Sequence, residues 1–168
     1  FMTGFNRVLI TGGTRGIGRA ILEKFSQNGQ DVICIYKNSH KEADDLKEKY
    51  PSITTISCDI SNFNEVLAIK DKVGKVDIII NNAGVSSYNL FTEETPENFD
   101  FIFNSNVKSV FNITKVFVPD MISQKKGSII NISSMWGEVG ASCEVLYSAS
   151  KGAIISMTKA LAKELAPS

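Results

Sequence analysis

The sequence is poor in the residues that build metal centres. It has a single histidine, His40, in a polar stretch, so a multi-histidine site is excluded and no metal is expected. Its three cysteines, Cys34, Cys58 and Cys143, show no C-x-x-C spacing. Two of them sit in apolar runs, which reads as buried thiols in a reducing, cytoplasmic setting. Neither sign of charge is in excess: 18 basic residues balance 18 acidic ones. Proteins that bind polyanions carry a basic surplus, so a nucleic-acid partner is not expected. No apolar run reaches the ~18 residues of a membrane span. The opening Phe1-Met2-Thr3-Gly4 lacks a charged region followed by an apolar stretch, so no secretory signal is expected, and Phe1 reads as an addition ahead of Met2. A G-x-S-x-G elbow is missing, which argues against a serine hydrolase. No Gly-Lys-Ser/Thr closes a glycine loop, which demotes ATP and GTP as ligands.

What is present is an alternation of short apolar runs and longer helical patterns over 168 residues. Strands are expected at residues 7–11, 31–36, 54–59, 76–81 and 128–133, each rich in β-branched residues and nearly continuously apolar, as strands covered on both faces are. Helices are expected over 16–28, over 41–50, from Ser61, over 96–123 and over 147–165. Alternating strands and helices imply an α/β fold with a doubly wound parallel sheet and right-handed crossovers. With no repeat or linker, residues 1–168 read as one domain.

Directly after the first strand comes Thr11-Gly12-Gly13-Thr14-Arg15-Gly16-Ile17-Gly18, opening a helix. Glycines allow positive φ and close backbone approach, and a helix N-terminus offers free N–H groups to a pyrophosphate. Residues 12 to 18 are therefore candidate dinucleotide ligands. Some twenty positions on, where an acid would hold the ribose 2′-hydroxyl of NAD, the chain reads Tyr36-Lys37-Asn38-Ser39. A carboxylate there would repel a 2′-phosphate, whereas Lys37 and Arg15 would attract one. NADP(H) is favoured over NAD(H).

The T-G-x-x-x-G-x-G spacing resembles the coenzyme fingerprint of the short-chain dehydrogenase/reductase family, whose fold is of the Rossmann type. The resemblance extends to other positions. Asp59, with Ile60 beside it, resembles the residue that meets the adenine ring. Asn81-Asn82-Ala83-Gly84 matches the family's N-N-A-G segment, in which Asn82, Ala83 and Gly84 would line the cofactor and Asn81 is structural or ligand-contacting. Tyr147-Ser148-Ala149-Ser150-Lys151 matches Y-x-x-x-K; Ser134 stands 13 residues before Tyr147, the family's usual spacing; Asn106 matches the fourth catalytic residue.

The chemistry accounts for these residue types. Carbonyl reduction needs a hydride and a proton. Tyrosine can give the proton, although its ordinary pKa is about 10. A nearby ammonium favours the anion left behind. The resemblance makes Tyr147 the acid, Lys151 the charge that also holds the ribose, Ser134 the hydrogen bond to the substrate oxygen, and Asn106 the holder of a water that relays protons to Lys151. Singly, each could be an ordinary helix face, strand end or mid-helix polar group.

Within the family the chain looks most like bacterial 3-oxoacyl-acyl-carrier-protein reductases, which use NADPH on β-keto thioesters in fatty acid biosynthesis. The segment Ser133-Ser134-Met135-Trp136-Gly137, with Gly140 to Val145, resembles related Gram-positive reductases, some acting on a ketone of modified elongation factor P. Trp136 and Cys143 would then border the pocket. The partner is thus a small or carrier-bound carbonyl substrate. The family's self-assembly into dimers or tetramers would use the helices at 96–123 and 147–165.

Family members are longer. The further part would hold two more strands, a proline-glycine turn and the substrate loop. Without it the fifth strand is expected to be an exposed edge, and residues 1–168 alone to turn over weakly or not at all. Two other readings remain: a nucleotide-binding module without turnover, and an epimerase or dehydratase of the extended relatives. The retained Tyr147 and Lys151 argue against the first, and the short glycine turn and N-N-A-G segment against the second.

Overall fold

The computed structural model describes residues 6–168; residues 1–5, and the expectation for the chain's opening, lie outside the described residues. Five parallel strands form one sheet in the order β3-β2-β1-β4-β5, where β1 is Arg7–Thr11, β2 Asp31–Tyr36, β3 Ile53–Ser57, β4 Ile78–Asn81 and β5 Ser128–Asn131. The helices are α1 (Gly16–Gln27), α2 (His40–Lys49), α3 (Phe63–Ala68), α4 (Lys70–Val73), α5 (Pro96–Phe103), α6 (Ser109–Gln124), α7 (Trp136–Val139) and α8 (Val145–Leu165). The expected doubly wound α/β sheet is what forms.

The period-two alternation of the strands decides which residues meet which helices. Leu9, Ile33, Ile35 and Ile79 point to one face and pack with Ile113 and Phe117 of α6. Val8, Ile10, Val32, Cys34, Ile78 and Ile80 point to the other and meet Leu22 of α1 and Leu46 of α2. Each fully buried Ile or Leu contributes about 1.5–3 kcal/mol. Covering both faces explains why these strands read as unbroken apolar runs.

Strand order reverses between β1 and β4. The chain winds outward through β2 and β3, then crosses back to β4 and β5. The two crossovers leave β1 in opposite directions, so a crevice opens at the carboxyl ends of β1 and β4.

The element bounds differ from expectation in instructive ways. Asp59 lies beyond β3, in the loop over the sheet's carboxyl edge. Asn62 rather than Ser61 caps α3, its Oδ1 accepting from the backbone of Asn64 and Glu65, while the Ser61 hydroxyl is spent on Asp59. The expected single helix over 96–123 is α5 and α6 joined by a π-helical turn, Asn104–Lys108. The short α7 was not anticipated, because four residues show no period. Strand β5 is an edge among the described residues, and Ile130 is exposed there. An apolar groove of roughly 570 Å³ runs beside it, lined by Val118, Met121 and Ile122 of α6 and Leu161 and Leu165 of α8. No helix among the described residues is long and apolar enough to cross a membrane.

Candidate active site

The crevice is a cleft of roughly 660 Å³, within the range of small-molecule and cofactor sites. Gly12, Thr14, Arg15, Gly16, Ile17 and Gly18 form one wall. Tyr36, Lys37, Asp59 and Ile60 lie along the second side, and Asn82, Ala83 and Gly84 along the third. Gly13 lies under the turn instead, where a Cβ would stand 2.9 Å from Cys34 Sγ and 3.0 Å from Ile10 and Leu22.

Gly18 is the position with least freedom. A Cβ there would fall 2.3 Å from the Gly12 carbonyl oxygen and 2.4 Å from Asn82 Nδ2, so the helix can approach the turn only with glycine. Asn82 braces the same turn. Its Nδ2 donates to the Thr11 and Gly12 carbonyls, each at 3.1 Å, and its backbone N–H and that of Ala83 donate to Thr11 Oγ1, also at 3.1 Å. The N-terminus of α1 has no side-chain cap and no acid in its first turn. Its positive end and free N–H groups therefore face the cleft and suit an anion. Ile17, two-thirds exposed on this wall, offers apolar surface beside them.

At the far side, Asp59 Oδ1 accepts from the Ser61 backbone N–H at 3.0 Å and from its hydroxyl at 2.6 Å. Lys37 Nζ sits 2.6 Å from Asp59 Oδ2. Burial raises the Asp59 carboxyl, but the hydrogen bonds from Lys37 and Ser61 and the Lys37 charge outweigh it and hold the group below the usual carboxylate range. Lys37, expected to await a 2′-phosphate, is thus engaged by a carboxylate.

None of the four candidate catalytic residues lines this cleft itself, and Lys151 and Asn106 border it beside Gly84. Tyr147 and Lys151 are one turn apart on α8, with the ammonium 5.8 Å from the tyrosine ring centre. Lys151 is 5% exposed and donates to the Ile132 carbonyl at 2.9 Å. Burial lowers its ammonium from the ordinary value. Its Nζ also lies 3.4 Å from where a Cβ on Gly84 would stand, which places the lysine against the cleft's third wall. Ser134 Oγ accepts from the Trp136 backbone N–H at 3.2 Å, leaving its O–H to donate elsewhere.

Asn106 lies in the π-helical turn, fully buried. Its Nδ2 donates to the Val85 carbonyl at 2.8 Å and to Ser150 Oγ at 2.9 Å, and its Oδ1 accepts from the Val85 backbone N–H at 2.8 Å. These bonds pin the loop after β4 to α8. A water held toward Lys151 would therefore need the remaining lone pair of Oδ1 or the main chain.

Further residues brace the site. Gly137 fits α7 onto α8: its Cβ would fall 2.7 Å from the Lys151 carbonyl carbon. Ser133 Oγ donates to the Lys151 carbonyl at 2.9 Å. Asn81 donates to Asn131 Oδ1 at 2.8 Å, and Asn131 donates to Thr158 Oγ1 at 2.8 Å, joining β4, β5 and α8 by one polar chain. Cys58 lines the cleft, its thiol pushed up to about 11 by burial and by the charges of Glu65 and Asp59, and Cys34 beneath Gly13 rises to about 12 by burial. Both are poor nucleophiles in that state. Cys143, half-buried, takes a left-handed φ of 61°, and its carbonyl accepts from Asn89 N–H at 2.9 Å, tying the loop after β4 to the loop that leads into α8.

A glycine turn on an uncapped helix, a switch-point cleft and a Tyr-Lys pair bordering it at Gly84 define a nucleotide-dependent α/β enzyme architecture. The chain belongs to the short chain dehydrogenase family, whose model matches residues 6–168. The 3-oxoacyl-acyl-carrier-protein reductase FabG of Thermotoga maritima is 40% identical over 165 residues, covering 94% of this chain and 67% of that protein. A short-chain dehydrogenase from Streptomyces avermitilis superposes with a TM-score of 0.92 at 31% identity, covering 98% of this chain and 62% of that one. ElxO, solved with NADP bound, gives 0.89 at 32% identity, covering 97% and 69%. The chain spans about two thirds of the length of these relatives.

Proposed function

We propose that this chain is the cofactor-binding and catalytic part of an NADPH-dependent reductase that converts a ketone to a hydroxyl, with a 3-oxoacyl thioester as substrate. The observation that carries the reading is the placement of Lys151 Nζ against Gly84, which sets the Tyr147–Lys151 pair beside the cleft that the α1 N-terminus helps to form. The residues fit a dinucleotide. The uncapped helix start would take the pyrophosphate, Ile17 and Ile60 would flank the cofactor's rings, and Arg15 and Lys37 would face the 2′-phosphate. Bound there, the nicotinamide supplies the hydride.

The chain's own residues handle the oxygen and its proton. Ser134 donates its free O–H to the substrate oxygen and stabilises the charge that develops there. Tyr147 gives that oxygen a proton. Lys151, held in place by the Ile132 carbonyl, supplies the positive charge beside the tyrosine and a donor for the ribose. Asn106 fixes the loop that carries Gly84 and Val85. Tyr88, in the loop after β4, and Met135 and Val139, beside and on α7, are exposed and would offer an acyl chain apolar surface. The name of the Thermotoga relative, a 3-oxoacyl-acyl-carrier-protein reductase, supports a 3-oxoacyl thioester over the ketone of modified elongation factor P.

Exposed Phe99 and Phe111 on α5 and α6 support self-association through that face, as a dimer or tetramer. Unpaired Cys34 and Cys58 fit a cytoplasmic setting. The exposure of the same side chains also favours a second reading, a dinucleotide-binding module that does not turn over. Loss of NADPH absorbance on adding acetoacetyl-CoA tests the two. Oxidation of NADPH supports the reductase; binding without oxidation supports the second reading.

A further inference from the structure

The two cations expected to read a 2′-phosphate are not equally available. Arg15, at the start of α1, has no hydrogen bond or ion pair from its side chain among the described residues. Lys37 is held 2.6 Å from Asp59 Oδ2, although its side chain is 61% exposed and free to swing. Asp59 is not free to follow, because Ser61 grips its other oxygen twice. A carboxylate and a phosphate dianion are chemical rivals for one ammonium, and all these groups line the same cleft.

Building on the dinucleotide reading, we propose that Asp59 is a specificity-determining residue: its carboxylate competes with the cofactor's 2′-phosphate for Lys37, so Arg15 carries most of the discrimination between NADP(H) and NAD(H). An exposed ion pair of this kind is worth at most about 1 kcal/mol, so the competition alters the preference by about three- to fivefold. Asparagine at position 59 keeps an oxygen for Ser61 and removes only the charge.

The test is the ratio of the NADH to NADPH dissociation constants, measured by fluorescence titration of the protein and its variants. Any lost contact to the adenine affects both cofactors alike and cancels in the ratio. In Asp59→Asn the ratio should rise about three- to fivefold. In Asp59→Asn/Lys37→Ala it should fall back to the wild-type value or below, and Arg15→Ala should lower it more than Lys37→Ala does. A ratio that is unchanged or lower in Asp59→Asn, or a gain that survives removal of Lys37, overturns the proposal. If the unaltered protein binds neither dinucleotide, the dinucleotide reading fails first and takes this inference with it.

Discussion

The Lys151 ammonium on α8 donates to the carbonyl of Ile132, the residue that follows β5, at 2.9 Å. The tie is doubled in reverse, because Ser133 donates to the carbonyl of Lys151. The end of β5 thus fixes both the main chain and the side-chain tip of one helical residue. A lysine on a free helix face would sample several rotamers; this one is set by the sheet, one turn from Tyr147.

Removing that charge should be costly to chemistry. Lys151→Met keeps most of the stem and is expected to lower turnover by about 10²–10⁴-fold. Steady-state NADPH oxidation measures this, and turnover within a factor of about ten would contradict the assigned role.

The same variant has a stability signature. Burial lowers the Lys151 ammonium from its ordinary 10.5. Between that lowered value and 10.5, the unfolded chain binds more protons at this site than the folded one, so stability rises with pH across the window. Below the window the buried charge opposes folding in full. Lys151→Met should therefore compare best with the unaltered protein at neutral pH, and the comparison should shift toward the unaltered protein as pH climbs to 10.5. Denaturant unfolding at pH 7 and pH 10 reads the shift; a difference independent of pH would refute it.

Two glycine variants separate binding from catalysis. Gly18→Ala places a methyl 2.3 Å from the Gly12 carbonyl and should displace α1 from the turn, costing about 1–3 kcal/mol and abolishing dinucleotide binding. Gly137→Ala drives α7 away from the Lys151 main chain and should depress kcat while NADPH still binds. Binding titrations beside turnover assays check both. Equal loss of binding in the two would show that the sites are not separable in this way.

Asp77, at the opposite edge of the sheet, accepts from the Asn6 and Arg7 backbone N–H groups and pairs with Lys126. Burial raises its carboxyl, yet those bonds and the Lys126 charge leave it below its ordinary 3.8. Its stabilisation is present above 3.8 and is lost as pH falls through the lowered folded value. Asp77→Ala should cost about 1–2 kcal/mol at pH 7, with the difference closing in strong acid. Thermal melts across pH 2–7 would show this, and a constant gap would rule it out.

The strands and the glycine turn were legible because each obeys a short-range rule: continuous apolar runs for a sheet covered on both faces, and glycine where φ is positive, as at Gly12 and Gly16. The Tyr147–Lys151 pair was legible from helical spacing. What escaped were interactions between distant segments. Lys37 and Asp59 were read as separate contacts to a ligand, and only the pairing of β2 with β3 brings them together. Asn106 also ties Val85 to Ser150, 21 and 44 positions away, a brace that no local pattern marks. The need for glycine at Gly137 arises from the main chain of α8 and leaves no mark in the local sequence. The π-helical turn has no periodic signature short enough to separate it from the helices on either side.

The most direct test of the account is Tyr147→Phe, with NADPH affinity and acetoacetyl-CoA-dependent NADPH oxidation measured on one preparation. The account predicts near-normal NADPH binding and oxidation reduced by at least about 10²-fold. Oxidation at the unaltered rate with the hydroxyl gone would contradict the assignment of Tyr147 as the proton donor, and with it the central claim.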